Sequence, residues 1–524
     1  MNAPLKDEKN DIQEKNKLNL KIIIITSFIL IIAILAISIY FIIQAINKPP
    51  PCKSGYFFPS DAKSKSESEC TKCSLENCDK CSGTKESNVC TSCFSNYFPI
   101  KENNELIKCN LCDIGEDDKC LSCGEEINQC SKCNIGYKLE NGKCIVNFSF
   151  KATYYVYSKK SVTLINSNYK DKIKEVIIDG NIQTDKNYIY DLAYGSHIVY
   201  ILLDISPLIN YAPMFSFCKD MKEIYFSSQF NNIEIKSMYE MFHRCISLTS
   251  IDFGNVNIKS VTTLEYMFNN CYSLKKINIS NFDISKITSM KGMFLSCQVL
   301  EYIEFPNIKT KELKNIEDMF CGCSSLISLD LSNFDTKQIT SFYNLFNGCN
   351  SLASLNISNF DTSNVISMDY MFNDCFFLTS LDLSNFDTSK LERMVSIFSG
   401  CSNLISINLS SFKTNKVSFF NGIFSDCFSL ISLDLSNFNT SNVVNMDRMF
   451  SGCSSLISID LSSFDTSNVQ QMPYLFSGCS SLTSLNLSNF NTQKVSTMTY
   501  MFNGCSSLTS IDLSNFKFNF NIFG

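Results

Sequence analysis

Cysteine supplies most of the reactive side chains in this sequence, 27 among 524 residues. Fourteen lie from Cys52 to Cys144, and twelve of these form six Cys-x2-Cys pairs. The pairs are Cys70 and Cys73, Cys78 and Cys81, Cys90 and Cys93, Cys109 and Cys112, Cys120 and Cys123, and Cys130 and Cys133. Such pairs can bridge as disulfides or hold zinc through four thiolates. The intervening segments, such as NYFPIKENNEL and NIGYKLENGK, have too few apolar residues for a core, so cross-links must replace one. An even count favours disulfides if the segment faces an oxidising compartment, with the pairing left open.

The other 13 cysteines obey a different rule. Eleven recur at a step of 26, from Cys245 to Cys505, in time with Phe242 to Phe502 and Leu248 to Leu508. Cys218 is one residue out of phase, and Cys321 falls out of register, where exposure is expected. Stacked coils would bring successive ladder cysteines to about 5 Å, within disulfide range. Their side chains would nevertheless point in parallel, and the count is odd. Buried free thiols acting as small hydrophobes are expected.

Other chemistry is scarce. Only His197 and His243 carry imidazole, tryptophan is absent, and the formal charge is −6. A His-based metal centre, a Ser-His-Asp set and a nucleic-acid interface are all disfavoured. No cofactor or enzymatic activity is expected.

Compartment follows from residues 22–46, IIIITSFILIIAILAISIYFIIQAI, which contain no charged residue. A helix of that length spans about 37 Å, enough for a bilayer core. Asn47, Lys48 and three prolines follow it instead of a small-residue cleavage site, so a signal-anchor is expected. Lys9, Lys15, Lys17 and Lys21 outnumber Lys48 and Lys53, which places the N-terminus in the cytoplasm. The expected order is a cytoplasmic tail (1–21), the span (22–46), a cysteine-rich stalk (47–145), a β-rich cap (146–213) and a repeat array (214–524). The cap should contain four or five strands, from phrases such as SFKATYYVY and GSHIVYILLDIS.

One repeat, Leu378 to Cys401, shows how each unit is built. Leu381, Asp382 and Leu383 alternate as a short strand, and Phe386 turns back inward. Asp387, Thr388 and Ser389 suit a turn and helix cap. Leu391, Met394, Ile397 and Phe398 recur at helical spacing, before Gly400 in a slot that holds Gly, Asp or Asn in nine of eleven units. A single unit cannot close its own core, so about twelve must stack into an α/β solenoid with one parallel sheet. The end at KFNFNIFG lacks a polar cap, so it either folds over the last coil or meets a partner.

The unit at Met449 to Val469, MFSGCSSLISIDLSSFDTSNV, resembles the BspA-like leucine-rich-repeat surface proteins, specifically their 26-residue variety. The cysteine-rich block resembles furin-like and protist surface modules. The resemblance implies a leucine-rich-repeat solenoid on a cell surface, with adhesion roles and no catalytic residues to transfer.

Outward positions are the candidate ligand face. At the strand centre, Asp330, Asn356, Asp382, Asn408, Asp434 and Asp460 form one row, which could bind calcium or be a solvated acidic strip. The variable surface lies on the expected helices, as at Lys314, Glu317, Asp318, Gln470, Tyr474, Thr499 and Tyr500, and a ligand could be read through either face. Thr310 through Thr492 form a second ladder, most simply read as helix caps. Asn-x-Ser sequons occur at Asn147, Asn278, Asn356, Asn408, Asn439 and Asn486. The expected function is single-pass surface recognition of an extracellular protein or glycan at the plasma membrane. The alternative is a structural coat without a specific ligand.

Overall fold

The structure is a computed structural model. It describes residues 132–140, 144–204, 212–229, 235–517 and 522–523 in full, and the backbone of short strands between residues 56 and 131 and at 143. The span expected at 22–46 lies outside the described residues. Among those described, no helix is long and apolar enough to cross a membrane. The chain divides into two compact units, Met1–Ile145 and Val146–Gly524.

The first unit is built from antiparallel strand pairs. These are β1 (Tyr56–Phe57) with β2 (Thr71–Lys72), β3 (Cys78–Gly83) with β4 (Asn88–Cys93), and β5 (Tyr97–Glu102) with β6 (Glu105–Leu111). Then come β7 (Cys120–Cys123) with β8 (Cys130–Cys133), and β9 (Tyr137–Glu140) with β10 (Lys143–Val146). Cys133 and Cys144 form a disulfide across β8 and β10, with Cα atoms 5.5 Å apart. Of the cysteines expected to be cross-linked, these two are the ones whose bridge is described. For Cys52, Cys70, Cys73, Cys78, Cys81, Cys90, Cys93, Cys109, Cys112, Cys120, Cys123 and Cys130, the side chains lie outside the described residues. Backbone register sets Cys78 opposite Cys93 and Cys81 opposite Cys90 in the β3–β4 hairpin. Cys73 and Cys112 fall just past the ends of β2 and β6, outside the described residues altogether. Ile135, Leu139 and Ile145 beside the Cys133–Cys144 bridge are exposed, so these apolar side chains form no buried centre among the described residues.

The second unit opens with six strands where four or five were expected. They are β11 (Phe150–Val156), β12 (Lys160–Thr163), β13 (Ile173–Ile178), β14 (Asn181–Ile182), β15 (Ile189–Leu192) and β16 (Gly195–Leu203). Alternation in β11 buries Phe150, Ala152, Tyr154 and Val156, and the Tyr154 hydroxyl donates to the Leu164 carbonyl at 2.7 Å. Strand β17 (Met221–Phe226) pairs antiparallel with β11 and parallel with β18 (Ser250–Asp252). One sheet therefore carries backbone bonds from the cap directly into the first coil.

The array is a β-solenoid. After β18 come β19 (Lys276–Asn278), β20 (Tyr302–Glu304), β21 (Ser328–Asp330), β22 (Ser354–Asn356), β23 (Ser380–Asp382) and β24 (Ser406–Asn408). They pair parallel and two by two, each residue opposite its equivalent 26 positions on. Among the described residues, sheet-forming coils thus number seven rather than twelve, and the continuous sheet is broken into pairs. Beyond Asn408 the inward residues stay buried, as at Leu435, Leu461 and Leu487, but the described residues there form no strand.

The helices are the larger correction. Among the described residues the Met368–Cys375 segment and its equivalents are successive turns. The amides of Met371, Asn373 and Cys375 bond back three residues to Met368, Tyr370 and Phe372. The amides between them (Met368, Tyr370, Phe372 and Asp374) donate to Arg393, Val395, Ile397 and Ser399 of the next coil, at 2.7–2.9 Å. An α-helix aims all its amides along one axis; here they alternate. The cause is a pair of left-handed residues four apart in every coil, from Glu240 and Arg244 to Tyr500 and Gly504. The Gly400-type slot has the left-handed backbone expected of it, and even its exceptions Arg244 and Ser296 adopt it, but it ends no helix.

Inside, eleven phenylalanines from Phe242 to Phe502 stack with centroids 5.4–5.9 Å apart and planes within 18°. Phe523 extends the stack beyond Phe502 at 5.8 Å, Ile522 is buried, and the Phe502 amide donates to the Ile522 carbonyl. Of the two arrangements expected for that end, Ile522 and Phe523 show the one in which the tail packs on the last coil. The thirteen cysteines from Cys218 to Cys505 are free thiols. Each ladder thiol donates to the phenylalanine carbonyl of the preceding coil, as Cys401 does to Phe372 at 3.1 Å, and burial pushes the Cys401 thiol up to about 12. Cys321 is half-buried rather than exposed, with its thiol pushed up to about 11 by burial.

Candidate recognition faces

Two lateral faces of the solenoid carry the candidate residues. On the strand face, register brings Asp330 beside Asn356 and Asp382 beside Asn408, and Asp434 and Asp460 continue the row at the same step. Each side chain folds back on its own backbone. The carboxylate of Asp330 accepts from the Ser332 amide at 2.9 Å, and Asp382, Asp434 and Asp460 do the same with Ser384, Ser436 and Ser462. Asn356 and Asn408 accept from Ser358 and Ser410, and Asn356 donates to Asp330 at 3.0 Å. These bonds turn the chain at the strand end. They also stabilise the charged form, so the carboxyls of Asp330, Asp382, Asp434 and Asp460 are held below the usual range.

The sequon asparagines other than Asn147 behave alike. Asn278, Asn408, Asn439 and Asn486 are exposed and accept from the serine amide two residues on, while Asn356 is the member bonded to Asp330. Asn147 differs, because the serine of its sequon, Ser149, is fully buried and bonded to the Leu203 amide.

The threonine ladder is neither a helix cap nor a surface. Thr310 to Thr492 are buried, and from Thr336 to Thr466 the hydroxyls donate to a carbonyl of the next coil. Thr414 shows the full clasp: it donates to the Asn439 carbonyl and accepts from the Asn439 amide, both at 2.8 Å. Sequence reasoning found the ladder and missed its direction, because a hydroxyl bonded 25 residues away leaves no local signal.

The turn face is where the coils differ. Its left-handed slot reads Tyr266, Gly292, Asp318, Asn344, Tyr370, Ser396, Gly422, Arg448, Tyr474 and Tyr500. Tyr474 and Tyr500 stack at 5.3 Å, and the Arg448 guanidinium lies over Tyr474 at 4.8 Å. Arg393 donates from Nε to Asp369 at 2.7 Å, and that carboxylate, buried, also accepts from the Val395 amide. Between Tyr370 and Arg448 the face opens into a cleft of about 560 Å³.

Among the described residues, neither histidine is bonded to a nucleophile. His197 bridges Asp179 and the Ala193 carbonyl, and although burial opposes protonation, the bonds to these partners raise its pKa overall. His243 is half-buried against Phe217, and burial lowers its pKa.

A parallel β-solenoid with a closed interior and two long lateral faces defines a repeat protein of the kind that uses extended surfaces. The family described as "Mycoplasma protein of unknown function, DUF285" matches three times, over residues 209–328, 314–430 and 420–521. The chain belongs to this family. No curated protein matches. Among solved structures it is similar to a leucine-rich-repeat protein of Leptospira interrogans, at 14% identity over 48% of this chain and 70% of that one, with a TM-score of 0.19. It is also similar to a leucine-rich-repeat protein of Eubacterium ventriosum, at 14% identity over 57% and 94%, with a TM-score of 0.21.

Proposed function

We propose that the protein is a cell-surface recognition or adhesion protein, held by a single span with its N-terminus cytoplasmic, that binds an extracellular protein or glycan through its solenoid. One observation carries this reading. Inward positions repeat the same residues coil after coil, while the turn-face slot ranges from Gly292 and Asn344 to Arg448 and Tyr474. A monotonous interior under a varied exterior is a scaffold for a surface. The likeness to BspA-like surface proteins and to furin-like stalk modules supports the same placement, and the apolar run at 22–46 supports the anchor.

Binding of the full chain to a panel of cells, glycans and matrix proteins tests the reading. Saturable binding that survives deletion of residues 214–524 would overturn it. Protease added to intact cells should remove the region after Asn47, and full protection of that region would reverse the orientation.

A further inference from the structure

Two glycines occupy equivalent slots on the turn face, and only one is covered. A Cβ on Gly292 would run into the ring of Tyr266, which fills the space above it. At Gly422 the close neighbour is the small Ser396 hydroxyl, at 2.8 Å, and the next nearest atoms are serine Cβ atoms at 3.8 Å rather than a ring. With serine and glycine in successive coils, the face loses two side chains' depth between Tyr370 and Arg448. The resulting cleft of about 560 Å³ falls within the usual size of small-ligand sites, about 300–1,000 Å³.

Its lining is mixed in a particular way. Tyr370 and the exposed Phe419 offer aromatic surface. Arg393 and Arg448 supply donors, with Arg393 fixed from below by buried Asp369 and Arg448 backed by Tyr474. Asp426 and Asp447 supply acceptors; with the Asp369 that holds Arg393, three carboxylates face the two guanidiniums. Oδ1 of Asp447 is buried and accepts no hydrogen bond, with Arg448 Nε 3.7 Å away. That excess of carboxylate gives no advantage to a phosphate or a sulfate. Flat rings beside paired donors and acceptors suit a ring with an apolar face and hydroxyls at its edge.

We propose that this cleft binds one pyranose unit of a neutral glycan, with Phe419 or Tyr370 under the sugar face and the Arg448–Asp447 edge bonded to its hydroxyls. This rests on the surface-recognition reading and moves the contact from the strand row to the turn face.

The test uses the full chain on an array of neutral, sialylated and sulfated oligosaccharides, followed by calorimetric titration of the best neutral binder. Gly422→Tyr should close the cleft, displacing the Ser396 hydroxyl 2.8 Å from the new Cβ, on a left-handed backbone that Tyr370, Tyr474 and Tyr500 already hold at φ 54–58°. It should weaken binding at least about tenfold, as should Phe419→Ala, in the manner of other central aromatic contacts. Asp434→Ala on the strand face should change it by no more than about twofold. Circular dichroism shows whether Gly422→Tyr keeps the fold, and Phe419→Ala gives the same readout without touching the backbone. Absence of neutral-glycan binding, binding of acidic glycans alone, or affinity unmoved by both variants would overturn the proposal. If the chain still binds cells or a protein in those cases, surface recognition stands and only the cleft fails. Failure of all binding removes both.

Discussion

The cysteine-rich unit and the solenoid hold almost equal numbers of cysteines, 14 and 13, and the described ones are used in opposite ways. In the first unit, Cys133 and Cys144 close a hairpin flanked by exposed Ile135, Leu139 and Ile145. In the solenoid, Cys401 is a buried thiol bonded to the Phe372 carbonyl among Leu391, Met394, Ile397 and Phe398. A segment that cannot bury apolar surface restricts its unfolded ensemble instead. A segment that buries a ring in every coil needs only a small side chain to fill a corner. The same residue type is therefore structural in both places for unrelated reasons.

The sharpest way to break this contrast is within the ring stack. Phe398→Ala should destabilise the array by about 3–5 kcal/mol, read as a lower urea midpoint, because the cavity lies between rings 5.8 and 5.6 Å away. A value under about 1 kcal/mol would mean the stack is not the source of cohesion. Cys133→Ser should cost the hairpin about 2–4 kcal/mol. Hydrogen exchange should then rise across Tyr137–Val146 and stay unchanged between Met238 and Cys505. Protection lost in the solenoid as well would show that the two uses of cysteine are not independent.

Smaller effects sharpen the picture. Thr414→Val removes two hydrogen bonds to the part-buried backbone of Asn439 and should cost about 1–3 kcal/mol in chemical melts. Cys401→Ala removes one weak donor and a small volume, about 1 kcal/mol. Alkylation after denaturation without reductant should find the 13 solenoid thiols reactive. Near-zero labelling would mean that the ladder cross-links. The smallest effect is acid sensitivity. Asp330, Asp361 and Asp465 are held below their usual range by bonds from the following serines. Their contribution is complete above the unfolded value of about 3.9 and disappears as pH falls through the lower folded values. Burial raises Asp374 and Asp447 and works in the opposite direction. Thermal midpoints should be flat from about pH 8 to 5 and fall below about pH 4.

Legibility in the sequence followed the range of the interaction. Burial was readable residue by residue: Leu381, Leu383, Phe386, Leu391, Met394, Ile397 and Phe398 all face inward as their spacing requires. The asparagine and aspartate row was readable as an outward line. Its engagement with the serine amides was not, although the Asp-x-Ser and Asn-x-Ser repeats carried that signal. The cleft at Gly422 was invisible, because Gly292 looks identical in sequence and is covered by a ring from another coil.

By itself, the sequence determined that identical side chains recur every 26 residues and must therefore superpose, which settles the stack and its buried ladders. Only the tertiary structure decided whether each apolar stretch would coil as a helix or fold as turns. Spacings of three and four serve both. The choice depends on where the amides of Met368, Tyr370 and Phe372 find acceptors, and those acceptors lie in the next coil, 25 residues away.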